Sequence, residues 1–203
     1  MGYVSLPDPF QETPLVQSTE TLRREHLWIR QLLDCLEELA HRAEARGQLD
    51  AIASFDLISL FEDFVDQGHQ EKEERYFFRV LLDKADASQS AYVRRLFKDH
   101  RDERHDLESL RVHMIGAIQA DPLCVREFVH RARAFAVAQR RHLTHEEVVL
   151  IPMAERILGR EDDLRIVEGF QHTTSAGAEI GRRVESLCRQ IGLRTPARNS
   201  AAE

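Results

Sequence analysis

The chain has 203 residues, 42% of them hydrophobic and 31% charged, with a net charge of -7 and both signs interspersed. That supplies enough apolar material for the core of one domain and excludes the basic stripe that a phosphate backbone requires, so nucleic acid is not expected as a partner. No apolar run approaches the roughly 20 residues of a membrane span, and residues 1–14 lack the basic start and apolar core of a secretory leader. Cys35, Cys124 and Cys188 are too scattered for a disulfide framework or a CxxC clip. They read as reduced thiols in a cytoplasmic protein.

Residues 1–17 contain Pro7, Pro9 and Pro14 and read as an extended arm. Ser18 or Thr19 is placed to cap a first helix whose stripe runs Leu22, His26, Ile29, Leu33, Leu36 and Ala40, ending near Gly47. A second helix follows Asp50, with Phe55, Ile58, Val65, His69, Glu73, Tyr76 and Val80 on one face. A third starts at about Ser90 and carries Val93, Leu96, His100, Leu107, Leu110, Met114 and Ala117. Asp121-Pro122 is an N-cap followed by proline at the first helical position. It opens a fourth helix with Phe128, Ala132, Phe135, His142, Glu146, Val149 and Met153, which Pro152 is expected to kink. A fifth helical segment follows Gly159 through Leu164, Phe170, Ile180, Val184 and Ile191, and the polar tail 194–203 reads as disordered. The pattern predicts an all-α fold: an up-down-up-down four-helix bundle over residues 18–160, with an additional C-terminal helix over 161–193.

Each of the four stripes holds a histidine where an apolar residue belongs, and two have a glutamate four residues on. A buried carboxylate is costly unless paired, and two together repel. Cations inside the bundle would relieve both costs. With turns centred near residues 48, 85 and 121 and a rise of about 1.5 Å per residue, His26, His69, His100 and His142 fall at nearly one level. In each HxxxE pair the two residues share a helix face, so His69 with Glu73 and His142 with Glu146 can each offer a nitrogen and a carboxylate to one interior. Two carboxylates from two helices can bridge two ions. Such a donor set suits iron or manganese ahead of zinc.

The stretches RREHLWIRQLL (23–33), HQEKEERYFF (69–78), KDHRDERHDL (98–107) and HLTHEEVVLIPMAE (142–155) resemble the hemerythrin-like HHE cation-binding family. The resemblance spans roughly residues 19–160. It implies a four-helix bundle with a non-haem di-iron centre held by His26, His69, Glu73, His100, His142 and Glu146, and a role with oxygen, nitric oxide or iron. The chain departs from the family pattern at Gln70, where many members have a second histidine, and at Phe78-Arg79, where proline is usual. Arg104 stands where oxygen carriers have a further histidine. Glu103 is then a candidate substitute ligand.

Other residues are read more plainly. Tyr76 either lines the metal pocket or packs as a core aromatic. Glu74 and Glu147 point about 100° from their neighbours Glu73 and Glu146 and are read as surface residues. Lys72 either pairs with Glu73 or is solvated. Trp28 faces the last segment or solvent. His172, with Ala176 and Gly177, is considered as a lid over the metal level, ranked behind plain packing. Two iron ions are the expected cofactors, and a small ligand such as O2, NO or peroxide the expected partner. A di-iron oxidase, peroxidase or NO reductase is the alternative, and a metal-stabilised partner-binding module the second. A homo-oligomer or another protein partner stays open.

Overall fold

The computed structural model describes residues 17–173 and 177–193. Within them the chain forms six helices and no strand: α1 (Gln17–Arg46), α2 (51–84), α3 (Ala87–Ile118), α4 (122–157), α5 (Arg160–Phe170) and α6 (Gly177–Gln190). Apart from Gln17, the arm and tail read from the sequence lie outside the described residues.

The turns fall where side-chain chemistry stops or starts a helix. Gly47 ends α1 with φ +70, a conformation that costs glycine nothing. Asp50 accepts from the Ala53 amide at 3.0 Å. Asp86 and Gln89 form a reciprocal capping box at 2.8 and 2.9 Å. Asp121 accepts from the amides of Leu123 and Cys124, with Pro122 at the first helical position. Each such cap is worth about 1 kcal/mol.

The start of α1 departs from expectation. Ser18 and Thr19 do not cap it; both are buried inside its first turn. The cap comes from another helix. Asp163 of α5 accepts from the amides of Gln17 and Ser18, each at 3.0 Å, and from Ser18 Oγ at 2.6 Å. A cap borrowed across 145 residues leaves no local signature.

Two helices widen around the polar stripe positions. In α2 the amide of Glu71 donates to Asp66 and that of Phe78 to Glu73, both five residues back. In α4 the amide of Ile151 reaches Glu146 in the same way, just before Pro152, which has no amide hydrogen to give. Such π turns add a residue to a turn and re-aim the side chains beside it. Tyr92 of α3 donates its hydroxyl to the His145 carbonyl at this turn, at 3.0 Å.

Apolar packing forms two clusters. One gathers Ile29, Leu36, Phe61, Phe64, Leu110, Phe128 and Phe135, and the other Leu22, Phe77, Phe78, Val93, Leu96 and Leu150. Along α1 the chain passes from the second cluster (Leu22) through His26 to the first (Ile29). Along α2 the order reverses: Val65, then His69 and Glu73, then Phe77. It reverses again in α3 (Leu96, His100, Leu107) and in α4 (Leu143, Glu146, Leu150). The polar residues therefore form a layer between two apolar ones.

The stretch after Gly159 makes two helices, not one. Phe170 of α5 joins the second cluster, and Gly169 of α5 lies so close against the Tyr76 ring that it leaves no room for a Cβ. Ile180, Val184, Leu187 and Ile191, on α6 and just beyond it, join the first cluster. Trp28 faces this helix: it packs on Phe64, with Gly181 of α6 over its ring.

Candidate metal centre

The four stripe histidines and two stripe glutamates meet in the polar layer. Glu73 and Glu146 are fully buried, and the histidines nearly so. They form two overlapping groups, His26, His69, Glu73 and Glu146 in one and Glu73, His100, His142 and Glu146 in the other, with all donor atoms of a group within 4.8 Å of each other. The halves are alike: the ring centroids of His26 and His69 are 4.9 Å apart, as are those of His100 and His142. Both glutamates belong to both groups.

Nitrogens and oxygens converge without satisfying one another. His26 Nε2 is 3.4 Å from Glu146, His69 Nε2 3.6 Å from Glu73, and His100 Nε2 3.4 Å from Glu73 and 3.8 Å from Glu146. His142 Nε2 lies 3.0 Å from Glu146 and 3.1 Å from His100 Nε2. Neither oxygen of Glu73 or of Glu146 accepts a hydrogen bond, and Nε2 of His26 and His69 has no partner. A buried, unpaired carboxylate costs on the order of several kcal/mol. Four orphaned oxygens and converging imidazoles are a donor set that can hold a metal cation.

The electrostatics agree. Burial pulls the His26 ring down, but contacts with Glu146 and Glu147 outweigh it and raise its pKa to about 9. His100 and His142 also end above the usual imidazole range, through Glu146 and its neighbours, against the same burial. Burial works against ionisation of Glu146, yet His142, His100 and His26 hold it well below the carboxylate range. The layer demands positive charge. Protons on imidazoles supply it in the protein alone, and a bound cation would replace them.

Behind each histidine stands a further acid, always from the preceding helix in a closed ring. Glu25 of α1 accepts from His69 Nδ1 of α2 at 2.9 Å, and Glu74 of α2 accepts from His100 Nδ1 of α3 at 2.9 Å. Glu103 of α3 lies 3.6 Å from His142 Nδ1 of α4, and Glu147 of α4 accepts from His26 Nδ1 of α1 at 3.1 Å. A carboxylate only accepts, so each hydrogen-bonded Nδ1 carries a proton and Nε2 is the nitrogen that faces the centre, where a cation would displace its proton and take its lone pair. Three of these acids have cations of their own. Lys72, buried, contacts Glu25; Arg30 donates to Glu147 at 2.6 Å; Arg104 donates to Glu74 at 2.7 Å and also pairs with Asp66. Against the pull of burial, the histidine contact does most to hold each of Glu25, Glu74 and Glu147 below the usual range, through His69, His100 and His26, and Lys72, Arg104 and Arg30 add to it. Glu103 instead takes a hydrogen bond from the amide of Gln70 at 2.7 Å, and burial pushes its pKa up to about 7.

Several readings change accordingly. Glu74 and Glu147 are half-buried and hold ring nitrogens; they are not surface residues. Lys72 pairs with Glu25 and is not solvated. Glu103 and Arg104 stand behind the histidines, outside both donor groups. Tyr76 packs against α5, and His172 is exposed at the end of that helix. Ala176 lies outside the described residues. Glu25 was not anticipated at all, because its acid serves a histidine of another helix.

A helical protein with this buried layer is, by class, a cation-binding protein. The model of the hemerythrin HHE cation binding domain matches residues 17–154, well over half of the chain, and the chain belongs to that family. No curated protein and no solved structure matches it.

Proposed function

We propose that the protein holds two iron ions, bound by His26, His69, Glu73, His100, His142 and Glu146, and uses them to bind or sense a small ligand such as O2, NO or peroxide, or iron status. In this reading residues 18–160 are an antiparallel up-down-up-down bundle domain and 161–193 an appended helical segment. The reversal of cluster order from each long helix to the next supports that topology. One observation carries the metal assignment: Glu73 and Glu146, fully buried, with every carboxylate oxygen lacking a hydrogen bond and shared between two histidine pairs. Each ion would take two imidazoles and the shared carboxylates, which leaves coordination positions for an exogenous ligand. Bound there, the metal pair would supply reversible ligand binding with redox exchange. The chain's own part is to orient three of the four rings through Glu25, Glu74 and Glu147 and to keep water out with the flanking apolar layers. Zinc ranks behind iron and manganese on the donor set, and the family resemblance puts iron ahead of manganese.

The same open positions favour a second reading, a di-iron oxidase, peroxidase or NO reductase. A partner-binding role would use the exposed apolar side chains of Ile52, Phe55, Val112 and Ile115. No described helix is long and apolar enough to cross a membrane. On the three scattered, free cysteines we assign the protein to the cytoplasm. Metal analysis of protein purified without chelator tests the core claim. About two irons per chain are expected; zinc, or no metal, refutes it. An absorption band that appears with O2 or NO and is lost on its removal supports binding. Sustained peroxide or NO consumption supports the enzyme.

A further inference from the structure

The centre leaves one chemistry-bearing pair unused. Cys35 in the middle of α1 and Cys188 near the end of α6 are both buried, and their sulfurs lie 3.3 Å apart across 153 residues of chain. They sit among Leu32, Leu36, Val184 and Leu187 in the first apolar cluster. Cys124 is elsewhere, with its sulfur against Gly116. We propose that Cys35 and Cys188 are a redox-active pair, oxidised by a small hydroperoxide to a reversible disulfide that staples α6 to α1.

Two features make the pair more than two buried thiols. Facing sulfurs at this separation are within side-chain rotation of a bond of about 2.05 Å. The contact is also polarised. Either sulfur can donate in this contact, and sharing the proton raises one thiol above its usual range while its partner falls below it. The thiolate of the pair is the nucleophile, and Cys188 is the better placed of the two to meet an oxidant. It lies in the last turn of the final described helix, which opens more readily than the bundle core and admits a water-sized oxidant.

The chemistry balances with one external oxidant. The Cys188 thiolate attacks a peroxide oxygen; an S–O bond forms, the O–O bond breaks, and the leaving oxygen departs protonated as water or an alcohol. Cys35 sulfur then attacks the sulfenic sulfur. The S–S bond forms, the S–O bond breaks, and a water leaves. Two thiols lose two electrons in total and the peroxide gains them. A reduced dithiol restores the pair by exchange. Because α6 carries none of the metal-facing residues, the switch changes how α6 is held and leaves the donor set in place. The idea stands independently of which metal, if any, is bound.

The full chain, as purified, is treated with stoichiometric hydrogen peroxide and in parallel with diamide, which oxidises thiols without metal chemistry. Free thiols are then blocked and the protein digested with trypsin. The expected product is peptide 31–42 joined to peptide 184–189, released by dithiothreitol. Cys124→Ser should leave it unchanged, and Cys188→Ser and Cys35→Ser should abolish it, with the alanine variants as substitutes should serine disturb packing. Trp28 is the only tryptophan and lies under Gly181 of α6. Its emission should therefore hold to higher urea after oxidation in the parent, and show no such gain in either cysteine variant. Unlinked Cys35 and Cys188 under conditions that consume Cys124, a link to Cys124 instead, or irreversible oxidation of Cys188 without a link would each overturn the proposal.

Discussion

The two halves of the polar layer are built alike but braced unequally. On the α1/α2 side, His26 and His69 each donate to an acid that has its own cation, Glu147 with Arg30 and Glu25 with Lys72. On the α3/α4 side only His100 has that arrangement, through Glu74 and Arg104. His142 faces Glu103 at 3.6 Å, and Glu103 has the neutral Gln70 amide for support. A carboxylate beside a cation stays ionised and fixes both the tautomer and the angle of an imidazole. One backed by an amide in a buried setting drifts toward neutrality. The six inward residues are near-symmetric, so two metal positions bounded by them would differ through this outer ring.

The largest effect should fall on what the halves share. Glu73→Ala or Glu146→Ala removes a donor from both groups and is expected to empty the whole centre, read by metal analysis. A variant that kept one ion at full occupancy would show that the glutamates are not shared. Removing metal from the parent protein should also destabilise it, because the orphaned carboxylates lose their counter-charge. At free metal a thousandfold above Kd, linkage amounts to about 4 kcal/mol, or roughly 10 °C in Tm for a chain of this size. Calorimetry with and without chelator checks it; an unchanged Tm would mean that the ions do not bind the folded state selectively.

Next come the braces. Glu25→Ala or Glu147→Ala should weaken the α1/α2 position by roughly 10- to 100-fold and barely change the other. Glu74→Ala should do the reverse, through His100. Competition with a coloured chelator, resolved into two steps, separates the positions. Losses that spread evenly over both steps would contradict a ring of local supports. Arg30→Met acts one contact further out, on a pair that is about one-third exposed at each side chain. Screening by solvent should limit its effect to a few-fold.

The inner residues were legible in the sequence and the outer ones were not, for a physical reason. A histidine or glutamate on an apolar stripe is an anomaly that periodicity exposes, and residue counts from the turns put the four histidines at one level. The turns at 47–50, 85–86 and 119–121 fall close to the centres used for that count. Glu25, Glu74 and Glu147 sit beside stripe residues at positions that look like ordinary solvated helix faces. Their role depends on the neighbouring helix, which a single helix pattern does not contain. The Asp163 cap on α1 escaped for the same reason. The π turns had one visible hint, Pro152; in α2 nothing in the composition separates a five-residue hydrogen bond from a four-residue one. The end of α5 at 171–173 was hidden because apolar residues continue at helical spacing beyond it.

The finest test compares two substitutions of the same chemistry. Glu103→Gln and Glu25→Gln each exchange a buried carboxylate for an amide of equal size. At Glu25 the change removes the charge that accepts from His69 Nδ1 and that pairs with Lys72, so the α1/α2 position should lose about tenfold in affinity. At Glu103 the hydrogen bond from Gln70 can persist to the new carbonyl, and the lost charge stood 3.6 Å from a ring nitrogen it did not hold. A neutral exchange of this kind should change the α3/α4 position by less than about threefold. Equal losses at the two sites would mean that Glu103 closes onto His142 once metal is bound, and the ring would then be symmetric in its working state. Unequal losses would make His142 the loosest of the four imidazoles, and the ion beside it the first to leave.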